Sequence, residues 1–266
     1  ADILAVPCPE VMTGADLAKA VNTLSESDRD RIFAVVATSG TTNLGLIDDL
    51  SSIAEFCQAS SIWLHVDGAY GAAALAAPSV RALFAGIEKA DSFIVDPHKW
   101  LFAPLDCCAL IYRAPEHARA AHRQHGDYLE VLYDGIWNPS DYAHHLSRRA
   151  RGLPFWFSLA THGTKTYADA VEKTLALTQA AATLIDASPW CERILPPNLS
   201  IVIFKRQGWE EDDYTRWSQE LLETGEGFVM PTKYKGETVL RFCIVNPTTT
   251  EDDITLVLNT LAPKVE

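Results

Sequence analysis

Apolar positions along the chain fall into short continuous runs that alternate with stretches of helical spacing. Residues 32–38 (IFAVVAT) are apolar and β-branched and run into Gly40-Thr41-Thr42-Asn43, which predicts a buried strand ending in a turn. Helical spacing follows over 50–59, with Ile53, Ala54, Phe56 and Cys57 on one face. A second strand is expected at 62–67 (IWLHVD), then a helix at about 80–88, a strand at 92–95 and another at 107–112 (CCALIY). This alternation predicts an α/β unit over 1–121, a mostly parallel sheet covered by helices.

From 122 to 147 the pattern dissolves into polar and aromatic residues with Gly126, Gly135 and Pro139. So long an irregular stretch points to a mobile, functional loop. After Pro154 helical spacing returns and runs to about residue 185. Beyond it a strand is expected at 200–204, a helix at 213–224, a strand at 239–245 and a last helix at about 250–261. Thr249 or Thr250, ahead of Asp252 and Asp253, supplies that last helix with a capping signature. Residues 148–266 thus read as a linking helix and a smaller C-terminal α+β domain.

Composition narrows the function classes. With 48% hydrophobic and 21% charged residues the chain has ordinary globular character. Its 35 acidic against 22 basic side chains, a formal net charge of -13, argue against nucleic acid as partner, because a phosphate backbone is bound through clustered Lys and Arg. Cys8, Cys57, Cys107, Cys108, Cys191 and Cys243 show no metal-type spacing and read as reduced thiols, so no metal is expected. The sequence has no apolar run near the roughly 18 residues of a spanning helix and no signal-peptide order at its start, from which a cytoplasmic protein without a membrane partner is expected.

The chemistry concentrates at three expected strand ends: Gly40-Thr41-Thr42, Asp67, and Asp96-Pro97-His98-Lys99. Ligands of parallel sheets bind outside the carboxyl ends of the strands, so Asp67 and Lys99, 32 residues apart, can face one cavity. Lysine is the side chain that condenses with an aldehyde, and a carboxylate facing a pyridine nitrogen keeps that ring protonated and electron-withdrawing. Gly68 and Ala69 leave room for a flat ring, and Thr42 can donate to a ring hydroxyl. Taken singly, Asp67 before Gly68 also suits a strand-ending turn, and Lys99 between His98 and Trp100 also suits a surface edge. His65, two residues before Asp67, is either a neighbour of the cofactor or a structural histidine. The joint occurrence favours a site.

Residues 33–113, through VVATSGTTNLGLIDDL, IWLHVDGAYG and ADSFIVDPHKWLFAPLDCCALIYR, resemble the pyridoxal-phosphate-dependent group II amino-acid decarboxylases. These are the aromatic-amino-acid, glutamate and cysteine-sulfinate decarboxylases. The likeness continues through LSRRARGLPFWFSLATHG (146–163) and LRFCIVNPTTTEDDI (240–254). It implies the fold-type I architecture of pyridoxal-phosphate enzymes, with 1–121 the C-terminal portion of the large cofactor-binding domain. It also implies Lys99 as the Schiff-base lysine, Asp67 as partner of the pyridine nitrogen, Ala69 on one ring face and Thr42 beside the ring hydroxyl. His98 and Asp96 match positions near the cofactor phosphate.

The family's phosphate-cradling turn and the residue that stacks on the other ring face have no counterpart in the sequence. The resemblance implies a homodimer with active sites at the subunit interface, and the missing part points to a fragment, a processed chain or association with a chain supplying the N-terminal half. The family's proton-donating tyrosine lies in the 122–147 loop. Anchoring on Leu146-Ser147-Arg148-Arg149 places Pro139 near its position, with Tyr142 and Tyr133 close by, and Tyr142 is taken as the donor. The implied reaction is decarboxylation of an L-amino acid. The absence of an Arg or Lys suited to an acidic side chain favours an aromatic substrate over a glutamate or aspartate type. Aldehyde-forming oxidative decarboxylation, an aminotransferase and a non-catalytic subunit retaining the lysine motif are the alternatives.

Overall fold

The computed structural model describes residues 2–123 and 138–263. In the first sheet β1 (Ala34–Thr38), β2 (Trp63–Asp67) and β3 (Ser92–Val95) run parallel, and β4 (Ala109–Tyr112) closes the edge antiparallel to β3. Residues alternate across a strand. In β1 and β2 this sends Val35, Ala37, Leu64 and Val66 into a core with Leu17 of α1 (Gly14–Asn22) and Leu50, Ile53, Ala54 and Cys57 of α3 (Leu50–Ser60). The short helix α2 (Glu26–Arg29) lies between β1 and α1 in sequence. The opposite face carries Val36, His65, Asp67 and Leu110, and Val36 there is 60% exposed.

The helix expected at 80–88 is instead two 3-10 turns, Arg81–Phe84 and Ile87–Lys89, parted by Gly86 at φ +101°. A Cβ on Gly86 would lie 2.4 Å from the Ser51 backbone nitrogen. The chain thus passes hard against the start of α3, at a backbone angle that suits glycine and ends any helix. The strand expected from residue 107 begins at Ala109, because the peptide groups of Cys107 face His98 Nδ1 rather than a neighbouring strand. The helix α4 (Pro97–Trp100) is a single turn, and α5 (Pro115–His122) leads away from β4.

The long helix α6 (Gly152–Ala187) has Pro154 in its first turn, where a missing N–H costs nothing, and departs from helical geometry at Gly163. It leads into the second sheet, β5 (Cys191–Arg193), β6 (Ile201–Arg206), β7 (Pro231–Tyr234) and β8 (Glu237–Cys243), antiparallel in the order β5-β6-β8-β7. The helices α7 (Glu211–Thr224) and α8 (Glu251–Asn259) cover it, with Thr250 and Asp253 forming the capping box of α8. Both faces of β6 are buried. Val202 and Phe204 point into the core under α6, α7 and α8, while Ile201 and Ile203 pack with Tyr70, Trp100 and Val171. That second cluster joins the C-terminal sheet to the segment carrying Lys99.

Candidate active site

The parallel register aligns Thr38, Asp67 and Ile94 across β1, β2 and β3, so the segments that follow them leave the sheet at one edge. Asp67 shares a sheet face with His65, two residues back, opposite the face packed on α1 and α3. Its carboxylate is exposed and accepts from the Ala69 backbone N–H at 3.0 Å. Among the described residues no Lys or Arg pairs with it. A strand-end carboxylate with its charge unspent suits a cationic ring nitrogen.

Lys99 is held by its neighbours. The one-turn helix α4 is anchored by Trp100, fully buried, whose Nε1 donates to Thr174 Oγ1 of α6 at 3.0 Å and whose ring stacks on Tyr70 with centroids 5.2 Å apart. With Trp100 turned inward, Lys99 is left 43% exposed, its Nζ 3.0 Å from Asp96 Oδ2. Asp96 is itself buried, and its backbone N–H donates to the Ala69 carbonyl, which links the Lys99 segment to the Asp67 turn. The Cys108 thiol donates to the Asp96 carboxylate; burial and that carboxylate push the thiol up to about 11. His98 Nδ1 lies 2.6 Å from the Cys107 carbonyl. The same nitrogen faces the Cys107 backbone N–H at 3.1 Å, so both peptide groups of Cys107 fix the ring in place.

Between the two charges the floor is built of small residues. A Cβ on Gly68 would come within 2.4 Å of Ala72 Cβ and 2.6 Å of Ser39 Oγ, so this buried position beside Asp67 has no room for a side chain. Thr42 is exposed on the turn after β1, and its carbonyl accepts from Arg241 of β8. His65 Nδ1 lies 2.8 Å from Ser92 Oγ, which also accepts from Trp63 Nε1 at 3.0 Å. Burial depresses the His65 pKa against the opposing pull of Asp67. The structure thus brings Lys99, Asp96, His98, Asp67, Ala69 and Thr42 to one edge of the sheet, with His65 one residue pair further along β2.

Tyr142 is half-buried on a 3-10 turn, Pro139–Tyr142, that packs against α5 and is fastened by the Asp141–Arg119 ion pair at 3.2 Å. Tyr133 and residues 124–137 of the expected loop lie outside the described residues. Three contributors escaped the sequence reading. All three sit inside stretches already singled out, but Arg241 meets the Thr42 turn from a strand about two hundred residues away, a pairing for which local sequence carries no signal.

The geometry fits the ring end of pyridoxal phosphate: an accessible amine, an unspent carboxylate, a flat floor and a hydroxyl at the rim. Among the described residues no group of three or more His, Cys, Asp or Glu is placed to hold a metal ion, and no helix is long and apolar enough to cross a membrane. Residues 2–207 match the pyridoxal-dependent decarboxylase conserved domain. The chain is 34% identical to an aromatic-L-amino-acid decarboxylase of Bacillus atrophaeus over 84% of its own length and 48% of the relative's. It is 32% identical to a 3,4-dihydroxyphenylacetaldehyde synthase of Aedes aegypti over 92% of its length and 47% of the relative's. Among solved structures, Oryza sativa TDC with PLP and tryptamine aligns with a TM-score of 0.84 at 26% identity, over 94% of this chain and 55% of that one. The chain spans about half the length of the relatives it matches. With the family model covering most of the chain and the fold-type I architecture shared with solved relatives, the chain belongs to the pyridoxal-dependent decarboxylase family.

Proposed function

We propose that the protein carrying this chain removes the α-carboxylate of an L-amino acid, aromatic by preference, with Lys99 as the amine that binds pyridoxal phosphate. The observation that carries this is the placement of an accessible Lys99 and a cation-free Asp67 at the carboxyl ends of adjacent parallel strands. When bound, the cofactor supplies an aldehyde for amine exchange and a ring that accepts the electron pair released as a bond to the substrate α-carbon breaks. Asp67 holds the proton on the ring nitrogen, and without that charge the electron pair has no favourable destination. Gly68 and Ala69, the small residues that follow Asp67, would leave room for one face of the ring. Thr42 donates to the ring hydroxyl, while His98 Nε2 and Asp96 stand on the phosphate side. Asp96 pairs with the Lys99 amine and holds it at the strand end, and Tyr142 is the residue assigned to return a proton to the α-carbon.

The aromatic preference rests on relatives named aromatic-L-amino-acid decarboxylase and tyrosine decarboxylase. An aldehyde-forming reaction is the second reading, favoured by the likeness to the Aedes aegypti synthase. A panel of L-amino acids assayed for carbon dioxide, amine and aldehyde with the intact protein separates the two. Adding pyridoxal phosphate and then borohydride should attach the cofactor to Lys99, and Lys99→Ala should abolish both the label and multiple turnover. Label on another lysine, or undiminished turnover by Lys99→Ala, would overturn the assignment.

A further inference from the structure

The turn that carries Thr42 belongs to the first sheet by sequence but is gripped by the second. Within the turn, Gly40 and Thr41 donate to the Leu46 carbonyl at 3.0 and 2.9 Å, Gly45 to the Thr41 carbonyl at 2.8 Å, and Thr41 Oγ1 accepts from the Leu46 N–H. These bonds fix its shape but not its direction. Direction comes from across the molecule. Gly45 lies against Asn198, whose carbonyl would be 2.4 Å from a Cβ there, and Leu199 reaches Gly40. The Thr42 carbonyl accepts from Arg241 Nη1, in β8 opposite Ile203. Among the described residues no carboxylate pairs with Arg241, so its guanidinium is directed at this peptide rather than spent in an ion pair.

We propose that Arg241 is a positioning residue that aims the Thr42 hydroxyl at the cofactor ring by holding the Thr42 carbonyl from the second sheet. The assignment rests on the reading of Thr42 as the ring-hydroxyl neighbour. The physical reason for an arginine is its planar, always charged head on a long stem, which can bond a carbonyl on a separate element at fixed angle. The C-terminal sheet then sets the geometry of the ring's edge without touching the cofactor.

The test uses the intact protein with Arg241→Met, Arg241→Lys, Thr42→Ala and the Thr42→Ala/Arg241→Met double variant. Pyridoxal phosphate affinity and the visible absorbance of the bound cofactor at neutral pH are measured, with thermal unfolding as a control. Arg241→Met should weaken cofactor binding about tenfold, the worth of one charge-assisted hydrogen bond, and shift the absorbance in the same sense as Thr42→Ala. Arg241→Lys should fall between wild type and Arg241→Met, and it answers the question alone if Arg241→Met does not fold. The double variant should be no worse than Thr42→Ala, since both changes remove one interaction. Wild-type affinity and spectrum in Arg241→Met, or losses that add in the double variant, overturn the proposal. Failure of the wild type to take label at Lys99 overturns the Thr42 reading itself, and the Arg241 assignment falls with it.

Discussion

At the scale of single residues, the site is a matter of which charges are already spent. Lys99 has Asp96, and Cys108 in turn has Asp96, while Asp67 faces outward with one oxygen on its own turn. His65 illustrates how burial decides a residue's state. The folded protein holds it below the usual histidine value of 6.5, chiefly through burial, so folding favours the neutral ring. The stability this provides is present above the unfolded value and is lost as pH falls from about 6.5 through the folded one. Replacing His65 with Asn should therefore flatten the decline in stability seen by urea denaturation between about pH 7 and pH 5. An unchanged slope in that variant would exclude the ring as its source. The residue types at Asp67, Lys99 and Thr42 were legible in the sequence, whereas the Asp96–Lys99 ion pair within one helical turn was not, since it depends on the two rotamers that burial of Trp100 leaves.

At the scale of elements, apolar runs found β1, β2 and β3 to within two residues, β1 and β2 because their alternate residues are buried in the core. The error at 80–88 has the same physics: helical spacing is present, but Gly86 must pass α3 at a positive φ. The helix α1 went unread although Thr13 and Asp16 form a full capping box, a signature short enough to occur by accident. Close backbone approach governs the turn beneath the site as well. Gly71 opens the 3-10 turn Gly71–Ala76, and a Cβ there would sit 2.2 Å from the Ser39 carbonyl oxygen and 2.7 Å from Gly40 Cα. Both obstacles are backbone and cannot swing aside. Gly71→Ala should cost about 1–3 kcal/mol in chemical denaturation, and it should weaken cofactor capture by displacing the Gly40 turn. An alanine variant as stable as wild type would show that the two segments can separate at no cost.

At the scale of the whole molecule, the two sheets form one body around a shared cluster in which Tyr70, Trp100, Val171, Ile201 and Ile203 meet. Tyr70 also makes the polar link: its hydroxyl is bonded to Ser200 Oγ and accepts from the Ser200 N–H at 3.2 Å, 130 residues away. Tyr70→Phe keeps the ring on Trp100 but leaves a buried N–H without its partner, so it should destabilise the protein by about 1–3 kcal/mol, measured by thermal or urea unfolding. A loss well below that range would mean that Ser200 finds another acceptor.

The sequence by itself determined β1, β2, β3, β4, β6 and β8 but not the short β5 and β7, together with the turn residues of the first sheet and the chemical identities of Lys99 and Asp67, because these follow from local periodicity and from side-chain chemistry. Its motifs also carried the family resemblance. Only the tertiary structure decided that the C-terminal sheet shares a core with the lysine segment, that Trp100 and Tyr70 orient Lys99, and that Arg241 reaches the Thr42 turn. Those relations join residues far apart in the chain. Their free energy comes from contacts that exist only after both sheets have packed, and so no local pattern records them.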